Sequence, residues 1–196
     1  MLFAIEILGT IAFALSGAMV AIGKKMDIFG VAILGMTAAT GGGIMRDLLL
    51  GVTPPAMLQH PVYALLALAV SLIAFLPKIR RRIDLDNFYL IIIDSVGLGL
   101  FAVSGVKAGT MYDNLFLQVF VGTITGVGGG VLRDMFAGER PMIFVRHFYA
   151  SACLLGSLLC ALLFPLGEDP AMISGAALII ILRMCAAKFK WHLPKA

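Results

Sequence analysis

Two short motifs combine residue types that are costly inside a membrane. Each has three consecutive glycines, two apolar residues, and then an arginine followed by an aspartate: Gly41-Gly42-Gly43-Ile44-Met45-Arg46-Asp47 and Gly128-Gly129-Gly130-Val131-Leu132-Arg133-Asp134. Both lie inside apolar runs long enough to cross a bilayer, where ionisable residues are rare and usually functional. The chemistry that they suggest is electrostatic, as part of an ion pathway or as structural ion pairs.

The triple glycines predict interrupted helices. Small residues spaced four apart, such as Gly35, Ala39 and Gly43, are explained by close helix packing. Three adjacent glycines exceed that need, since each interior glycine costs up to about 1 kcal/mol of helix propensity relative to alanine. At such breaks the carbonyls of residues 40–42 and 127–129 would be free to replace part of a cation's hydration shell.

The depth of the charged residues predicts how they pair. The two motifs lie past the middle of their spans, and the two spans run in opposite directions, so each Arg-Asp pair approaches a different face of the membrane. Glu6 and Asp94 lie a few residues inside the corresponding ends of other spans. We therefore predict that Glu6 lies near Arg46 and that Asp94 lies near Arg133. A structural role and a role in pore electrostatics are both open for these groups.

Hydroxyl side chains in the spans are candidates for a polar path. They are Ser16, Thr37, Thr40, Ser104, Thr123 and Thr125. The alternative for each is a hydrogen bond to its own helix backbone, which is frequent in membrane helices. His60 and His147 lie at span entrances, where we expect interfacial anchors rather than proton relays.

The composition predicts an all-α integral membrane protein. Of the 196 residues, 61% are hydrophobic and 13% are charged, and the mean hydropathy is +1.02. The apolar stretches extend along the whole chain, so we expect a single transmembrane domain over residues 1–196. The net charge of +4 is carried mostly in short connections, where basic residues contact lipid headgroups rather than nucleic acid. The three cysteines match no metal-ligand spacing, so no metal site is expected.

Seven apolar runs are predicted to span the membrane. Their approximate bounds are 2–22, 27–50, 58–76, 88–106, 113–137, 143–164 and 171–187. Basic residues are concentrated in the connections after the first, third and fifth runs and in the C-terminal tail. The positive-inside rule therefore predicts a multi-pass protein of the cell inner membrane with its N-terminus outside and its C-terminus in the cytoplasm.

The chain contains an internal repeat. Phe13-Ala14-Leu15-Ser16-Gly17 matches Phe101-Ala102-Val103-Ser104-Gly105 at an offset of 88, and the two glycine motifs match at an offset of 87. Repeat one covers about 1–82 and repeat two about 88–165. Because each repeat holds three spans, we predict inverted repeats related by a pseudo-two-fold axis in the membrane plane. The seventh helix, about 171–187, lies outside the repeat, and its Arg183 is expected to snorkel to the cytoplasmic surface.

Known catalytic motifs do not match the glycine-rich stretches. GGGIMRD lacks the third glycine of a dinucleotide fingerprint and the lysine of a P-loop. We therefore expect no enzyme activity.

With its doubled motif and repeats, the chain resembles the prokaryotic trimeric intracellular cation (TRIC) channels, whose domain is also catalogued as a bacterial glycine-transporter type. The resemblance implies a homotrimer with a K⁺-permeable pore through each protomer, lined by the second and fifth helices. It also implies a set of pore-kink residues with adjacent charges. These are Gly41, Gly42, Gly43, Gly128, Gly129 and Gly130, with Arg46, Asp47, Arg133 and Asp134 beside them. Animal members carry a basic lipid-binding motif where this chain has Gly-Ile-Met-Arg-Asp, so control by phosphoinositides is not carried over.

The leading hypothesis is a passive channel for monovalent cations, and the alternative is a secondary carrier for glycine or another small zwitterion. Inverted repeats suit both mechanisms. No cofactor is expected beyond permeating K⁺ or Na⁺ and bound lipid. A scaffold without transport would leave the two costly motifs unexplained.

Overall fold

The computed structural model of the chain describes residues 1–80, 87–145 and 148–191. Regular structure in these ranges is helical throughout. The helices are α1 (Leu2–Gly23), α2 (Ile28–Leu49), α3 (Ala56–Gln59), α4 (Pro61–Phe75), α5 (Pro77–Arg80), α6 (Asn87–Gly109), α7 (Leu115–Phe136), α8 (Met142–Val145), α9 (Tyr149–Leu163) and α10 (Glu168–Phe189). Short 3₁₀ turns follow α6 and α9, at Thr110–Tyr112 and Phe164–Leu166. His147, Arg81, Arg82 and the end of the C-terminal tail lie outside the described residues.

Six helices in the described residues are long and apolar enough to cross a membrane. The predicted third span, 58–76, instead contains the shorter helix α4, which has 15 residues and a length of roughly 22 Å. Prolines set its bounds. Pro61 occupies the first turn of α4, and Leu76, directly before Pro77, is extended, with ψ 136°, as residues before proline usually are. A count of seven spans, with α4 as the third, stays a prediction.

The two motif-bearing helices begin with the same kind of cap. The Gly30 amide donates to Asp27 Oδ1 at 2.8 Å before α2, and the Leu117 amide donates to Asn114 Oδ1 at 3.0 Å before α7. Side-chain oxygens at this position satisfy one of the free amides of a first helical turn. Asp27 and Asn114 are separated by the 87-residue offset of the repeat, so the repeat preserves the helix start as well as the motif.

The predicted helix breaks at the triple glycines are wrong. α2 and α7 are uninterrupted α-helices through Gly41–Gly43 and Gly128–Gly130. The helices cross at these glycines. A Cβ placed on Gly42 would lie 2.2 Å from the carbonyl oxygen of Thr125, and one on Gly129 would lie 2.2 Å from that of Ala38. Only glycine lets the two backbones approach this closely.

The three glycines of each motif pack against two different helices. Successive residues of an α-helix point about 100° apart, so consecutive glycines face different directions. A Cβ on Gly41 would lie 2.5 Å from Leu132 of α7, whereas one on Gly43 would lie 2.6 Å from Met57 of α3. In the second motif, Gly130 faces the hydroxyl of Tyr149. The helix-propensity cost is therefore offset by packing on several sides.

Two phenylalanines occupy the centre of the bundle. Phe13 of α1 and Phe101 of α6 are 0% and 1% exposed, and their rings stack with centroids 5.5 Å apart. Each ring also contacts a glycine of the other helix, Phe13 against Gly97 and Phe101 against Gly9. These positions are related by the repeat offset of 88, so this aromatic pair, like the glycine crossing, joins the two halves of the chain.

The glycine crossing leads to a stability prediction. Gly42→Ala and Gly129→Ala should each lower the unfolding temperature of the purified protein in detergent, because an added Cβ meets backbone that cannot move aside. Overpacking of this kind costs about 1–3 kcal/mol, which exceeds the gain in helix propensity. Gly23→Ala is the matched control, since a Cβ on Gly23 of α1 meets nothing within 4 Å. Equal unfolding temperatures for all three variants would contradict the proposed contact.

Candidate functional site

The first charged group, the Arg46 cluster, consists of Arg46, Glu6, Asp47, Tyr63 and Ser104. Arg46 Nη1 donates to Glu6 Oε1 and to Ser104 Oγ, both at 3.0 Å, and Arg46 Nε donates to Asp47 Oδ1 at 2.8 Å. The Tyr63 hydroxyl donates to Glu6 Oε2 at 2.7 Å, and the Ser104 hydroxyl donates to Glu6 Oε1 at 2.9 Å. The cluster thus joins α1, α2, α4 and α6 through one guanidinium and one carboxylate.

The second group, the Arg133 cluster, consists of Arg133, Asp94, Asp134, Ser16 and Tyr149. Arg133 Nη1 donates to Asp94 Oδ1 at 2.6 Å and to Ser16 Oγ, and Arg133 Nε donates to Asp134 Oδ1 at 2.9 Å. Arg133 and Asp94 are both 0% exposed. Charges buried this deeply are costly unless they are paired, and here each has a partner of opposite sign.

Both predicted ion pairs are present, Glu6 with Arg46 and Asp94 with Arg133. Their role in an ion pathway stays a prediction. Ser16 and Ser104 contact the arginine of the opposite repeat rather than their own helix backbone. Other hydroxyls do bond to their own helix. Thr40 donates to the carbonyl of Met36, and Thr123 and Thr125 donate to those of Val119 and Val121.

The motif aspartates also anchor the connections that follow. Asp47 Oδ2 accepts from the Ala56 amide at 2.7 Å, at the first residue of α3. Asp134 Oδ2 accepts from the Met142 amide at 2.8 Å, at the first residue of α8. Sequence reasoning missed this role. Pro54 and Pro141, matched by the repeat offset, were the available signal, since prolines commonly precede or begin such helices.

Arg183 does not snorkel to the membrane surface as predicted. It is 2% exposed, its Nη2 lies 3.8 Å from Asp94 Oδ2, and its guanidinium lies 4.5 Å from the centre of the Tyr149 ring. The reason is the packing of α10 on α6 and α9, which is close at Gly99, where a Cβ would lie 3.0 Å from the carbonyl oxygen of Ala176. This contact turns the face that bears Arg183 inward.

Two cavities approach the clusters from opposite ends of α1. The first, of about 530 Å³, is lined by residues that include Glu6, Arg46, Tyr63, Ser104 and Lys107. The second, of about 600 Å³, is lined by Val20, Lys24, Leu90, Asp134, Gly138, Glu139, Arg140, Met142 and Val145.

The layer between the cavities is apolar. Glu6 and Val20 are separated by roughly 21 Å along α1, and Phe13 lies midway between them. The stacked Phe13 and Phe101 rings and the crossing of Gly42 with Gly129 occupy this layer. The two cavities are therefore separated by aromatic rings and close-packed helix backbone.

The fold and the site define the class of this protein: a polytopic α-helical membrane protein with two internal ion-pair clusters, each at or beside a cavity. The family model described as "Glycine transporter" matches residues 3–78 and 91–165. The chain is 35% identical over 193 residues to the UPF0126 inner membrane protein YadS of Escherichia coli. The alignment covers 96% of this chain and 92% of that protein.

Solved structures give the same result. One solved structure of a TRIC cation channel has 40% sequence identity to this chain and a TM-score of 0.88. The match covers 98% of this chain and 96% of that chain. The TRIC trimeric intracellular cation channel orthologue from Rhodobacter sphaeroides is 33% identical, with a TM-score of 0.86 over 96% of this chain and 98% of that chain. The chain belongs to the TRIC-like glycine-transporter family.

The two clusters should differ in their tolerance to loss of the arginine. Arg133→Gln should destabilise the protein more than Arg46→Gln, because it removes the hydrogen-bonded partner of Asp94, which is 0% exposed. Removing one partner of a buried pair costs about 3–5 kcal/mol. Arg46 lines the first cavity, where water can replace part of the lost interaction. Thermal unfolding in detergent measures both changes.

Lys24→Gln is the control for this comparison, since it breaks the exposed pair between Lys24 and Glu139. Exposed pairs contribute about 0–1 kcal/mol, so its unfolding temperature should stay near that of the wild type. A larger loss for Arg46→Gln than for Arg133→Gln would contradict the difference in burial.

Proposed function

We propose that this chain forms a passive channel for monovalent cations, chiefly K⁺, with a separate path through each protomer. The observation that carries the proposal is the pair of cavities at opposite ends of α1, with ion-pair clusters at or beside them. Membrane proteins place ionisable residues at such positions chiefly where ions or water pass. The similarity to TRIC cation channels supports the same function.

The path runs along α1, α2, α6 and α7 from the first cavity to the second. Because α2 and α7 are continuous helices, their carbonyls at residues 40–42 and 127–129 are engaged in helix hydrogen bonds rather than free to coordinate an ion. Cation preference therefore comes from side-chain charge and from the hydroxyls near the clusters. The conformation described is closed, because Phe13 and Phe101 fill the layer between the cavities.

The chain crosses the inner membrane seven times as a single transmembrane domain, with α4 as the third span and two inverted repeats followed by α10. The distribution of lysine and arginine supports an outside N-terminus and a cytoplasmic C-terminus. The first cavity then opens to the outside and the second to the cytoplasm. Assembly into a homotrimer is supported by the similarity to the Rhodobacter sphaeroides relative, which is described as a trimeric intracellular cation channel.

The second candidate function is a carrier for glycine or another small zwitterion. One observation favours it, namely that the matching family model is described as "Glycine transporter". In a carrier, ammonium and carboxylate groups of the substrate would be bound at a site that opens to one side at a time.

Planar-bilayer recording of the purified protein separates the two functions. A channel gives discrete unitary K⁺ currents, because ions flow down their gradient through an open path. A carrier gives saturable uptake of labelled glycine into vesicles without unitary currents. Saturable glycine uptake in the absence of any K⁺ current would overturn the channel proposal.

The aromatic layer should limit conduction. The double variant Phe13→Ala/Phe101→Ala should increase the open probability or the unitary K⁺ current at least several-fold, because it removes the rings that separate the cavities. Phe116→Ala/Phe120→Ala is the matched control, since that pair also stacks, with centroids 5.9 Å apart, but lies on the exposed face of α7. Unchanged currents in a folded Phe13→Ala/Phe101→Ala variant would show that the two rings do not limit conduction.

A further inference from the structure

The residues that the two repeats contribute to the clusters carry the same formal charges. The Arg133 cluster has in addition one charged neighbour that lies outside the repeats. Each has one guanidinium and two carboxylates: Arg46 with Glu6 and Asp47, and Arg133 with Asp94 and Asp134. Counted formally, each sums to −1. Arg183 of α10 lies against the Arg133 cluster and brings its sum to zero. Since α10 follows the second repeat, the Arg46 cluster receives no equivalent arginine from it.

The second carboxylate oxygen has a different partner in each cluster. Glu6 Oε2 accepts the Tyr63 hydroxyl, which adds no charge. Asp94 Oδ2 instead faces the guanidinium of Arg183. The nearby Tyr149 presents its ring to that guanidinium. A neutral hydroxyl in one cluster is thus replaced by a full positive charge in the other.

Burial explains why the second cluster needs this charge. Asp94 and Arg133 are 0% exposed, and an unbalanced charge at that depth is strongly unfavourable. The Arg46 cluster lines a cavity of about 530 Å³, where water and mobile ions can balance its charge. Lys107 also lines this cavity but is paired with Glu168, so it does not cancel the charge of the Arg46 cluster.

The lining of the second cavity has a formal charge of the opposite sign. Among the described residues, its charged lining outside the Arg133 cluster consists of Lys24, Glu139 and Arg140, which sum formally to +1; Asp134, which also lines it, is counted in the neutral Arg133 cluster. The first cavity, with the Arg46 cluster, keeps −1. Charged linings of this kind change the local concentration of cations.

We propose that Arg183 is a fixed countercharge that neutralises the Arg133 cluster and thereby makes the two ends of the path electrically different. As a consequence, cations are concentrated at the first cavity and the current rectifies. The rectification rests on the proposed channel function. The countercharge role rests only on the structure of the cluster.

The experiment compares Arg183→Gln, Arg183→Lys, Asp94→Asn and the double variant Arg183→Gln/Asp94→Asn, all in the full chain. Two quantities are measured: the unfolding temperature in detergent, and the rectification ratio of single channels in symmetric KCl at equal voltages of opposite sign. Lys188→Gln is the matched control, since it removes the same charge from an exposed position of α10.

Arg183→Gln should lower the unfolding temperature and bring the rectification ratio closer to one than in the wild type, because the second end then sums formally to 0 rather than +1 against −1 at the first. Arg183→Lys should keep most of the rectification, because it keeps the charge. The double variant should be more stable than Arg183→Gln, because Arg133 and Asp134 then balance each other. Lys188→Gln should match the wild type in both measurements.

A wild-type rectification ratio in Arg183→Gln, or a double variant no more stable than Arg183→Gln, would overturn the proposal. A purely structural role would lower stability and leave the rectification ratio unchanged. Where Arg183→Gln does not fold, Asp94→Asn decides, since it keeps Arg183 and changes the formal sum of the cluster from 0 to +1. Its rectification should then exceed that of the wild type, and an unchanged ratio would overturn the proposal. A wild-type protein without current would refute the channel and the rectification, while the stability of the double variant would still test the countercharge.

Discussion

The structure depends on the placement of two arginine side chains inside an apolar helix bundle. A guanidinium has five N–H donors and a permanent charge, so in low-dielectric surroundings it must collect several partners. Arg46 and Arg133 each do so by drawing a carboxylate and a serine from two different helices and by keeping the adjacent aspartate in contact. These requirements fix the relative rotation of α1, α2, α6 and α7 before any detailed apolar packing is considered.

The close crossing of α2 and α7 makes this arrangement possible. With glycine at positions 42 and 129, the two backbones come within contact distance, which brings Arg46 and Arg133 close enough to reach serines of the opposite repeat. The crossing also leaves room for the Phe13 and Phe101 rings between α1 and α6. Close packing at the centre and polar clusters above and below it are thus consequences of the same sequence motif.

The repeat and the depth of each charge were sufficient to predict the Glu6–Arg46 and Asp94–Arg133 pairs. The propensity cost of three glycines predicts a helix break when it is compared with the needs of one packing neighbour, but each motif packs against two helices, which only the fold reveals. The position of Arg183 near a span end predicts snorkelling, whereas its inward orientation depends on contacts between small residues of α10 and the helices α6 and α9, which the sequence alone does not specify. The predicted third span is longer than α4 because the apolar run from Leu58 to Leu76 continues across His60, where the helix is interrupted, and up to Leu76, where it ends.

The nature of the central layer bears on the choice between channel and carrier. An alternating-access carrier holds its substrate near the membrane midplane, where polar groups bind it and where one side opens at a time. Here the midplane holds two stacked rings and glycine backbone, and the polar groups lie toward either end, at or beside separate cavities. A zwitterion would have to leave the hydrogen-bonding groups of one cluster before reaching the other. A small cation needs only a transient opening of the aromatic pair, so the arrangement favours a gated channel.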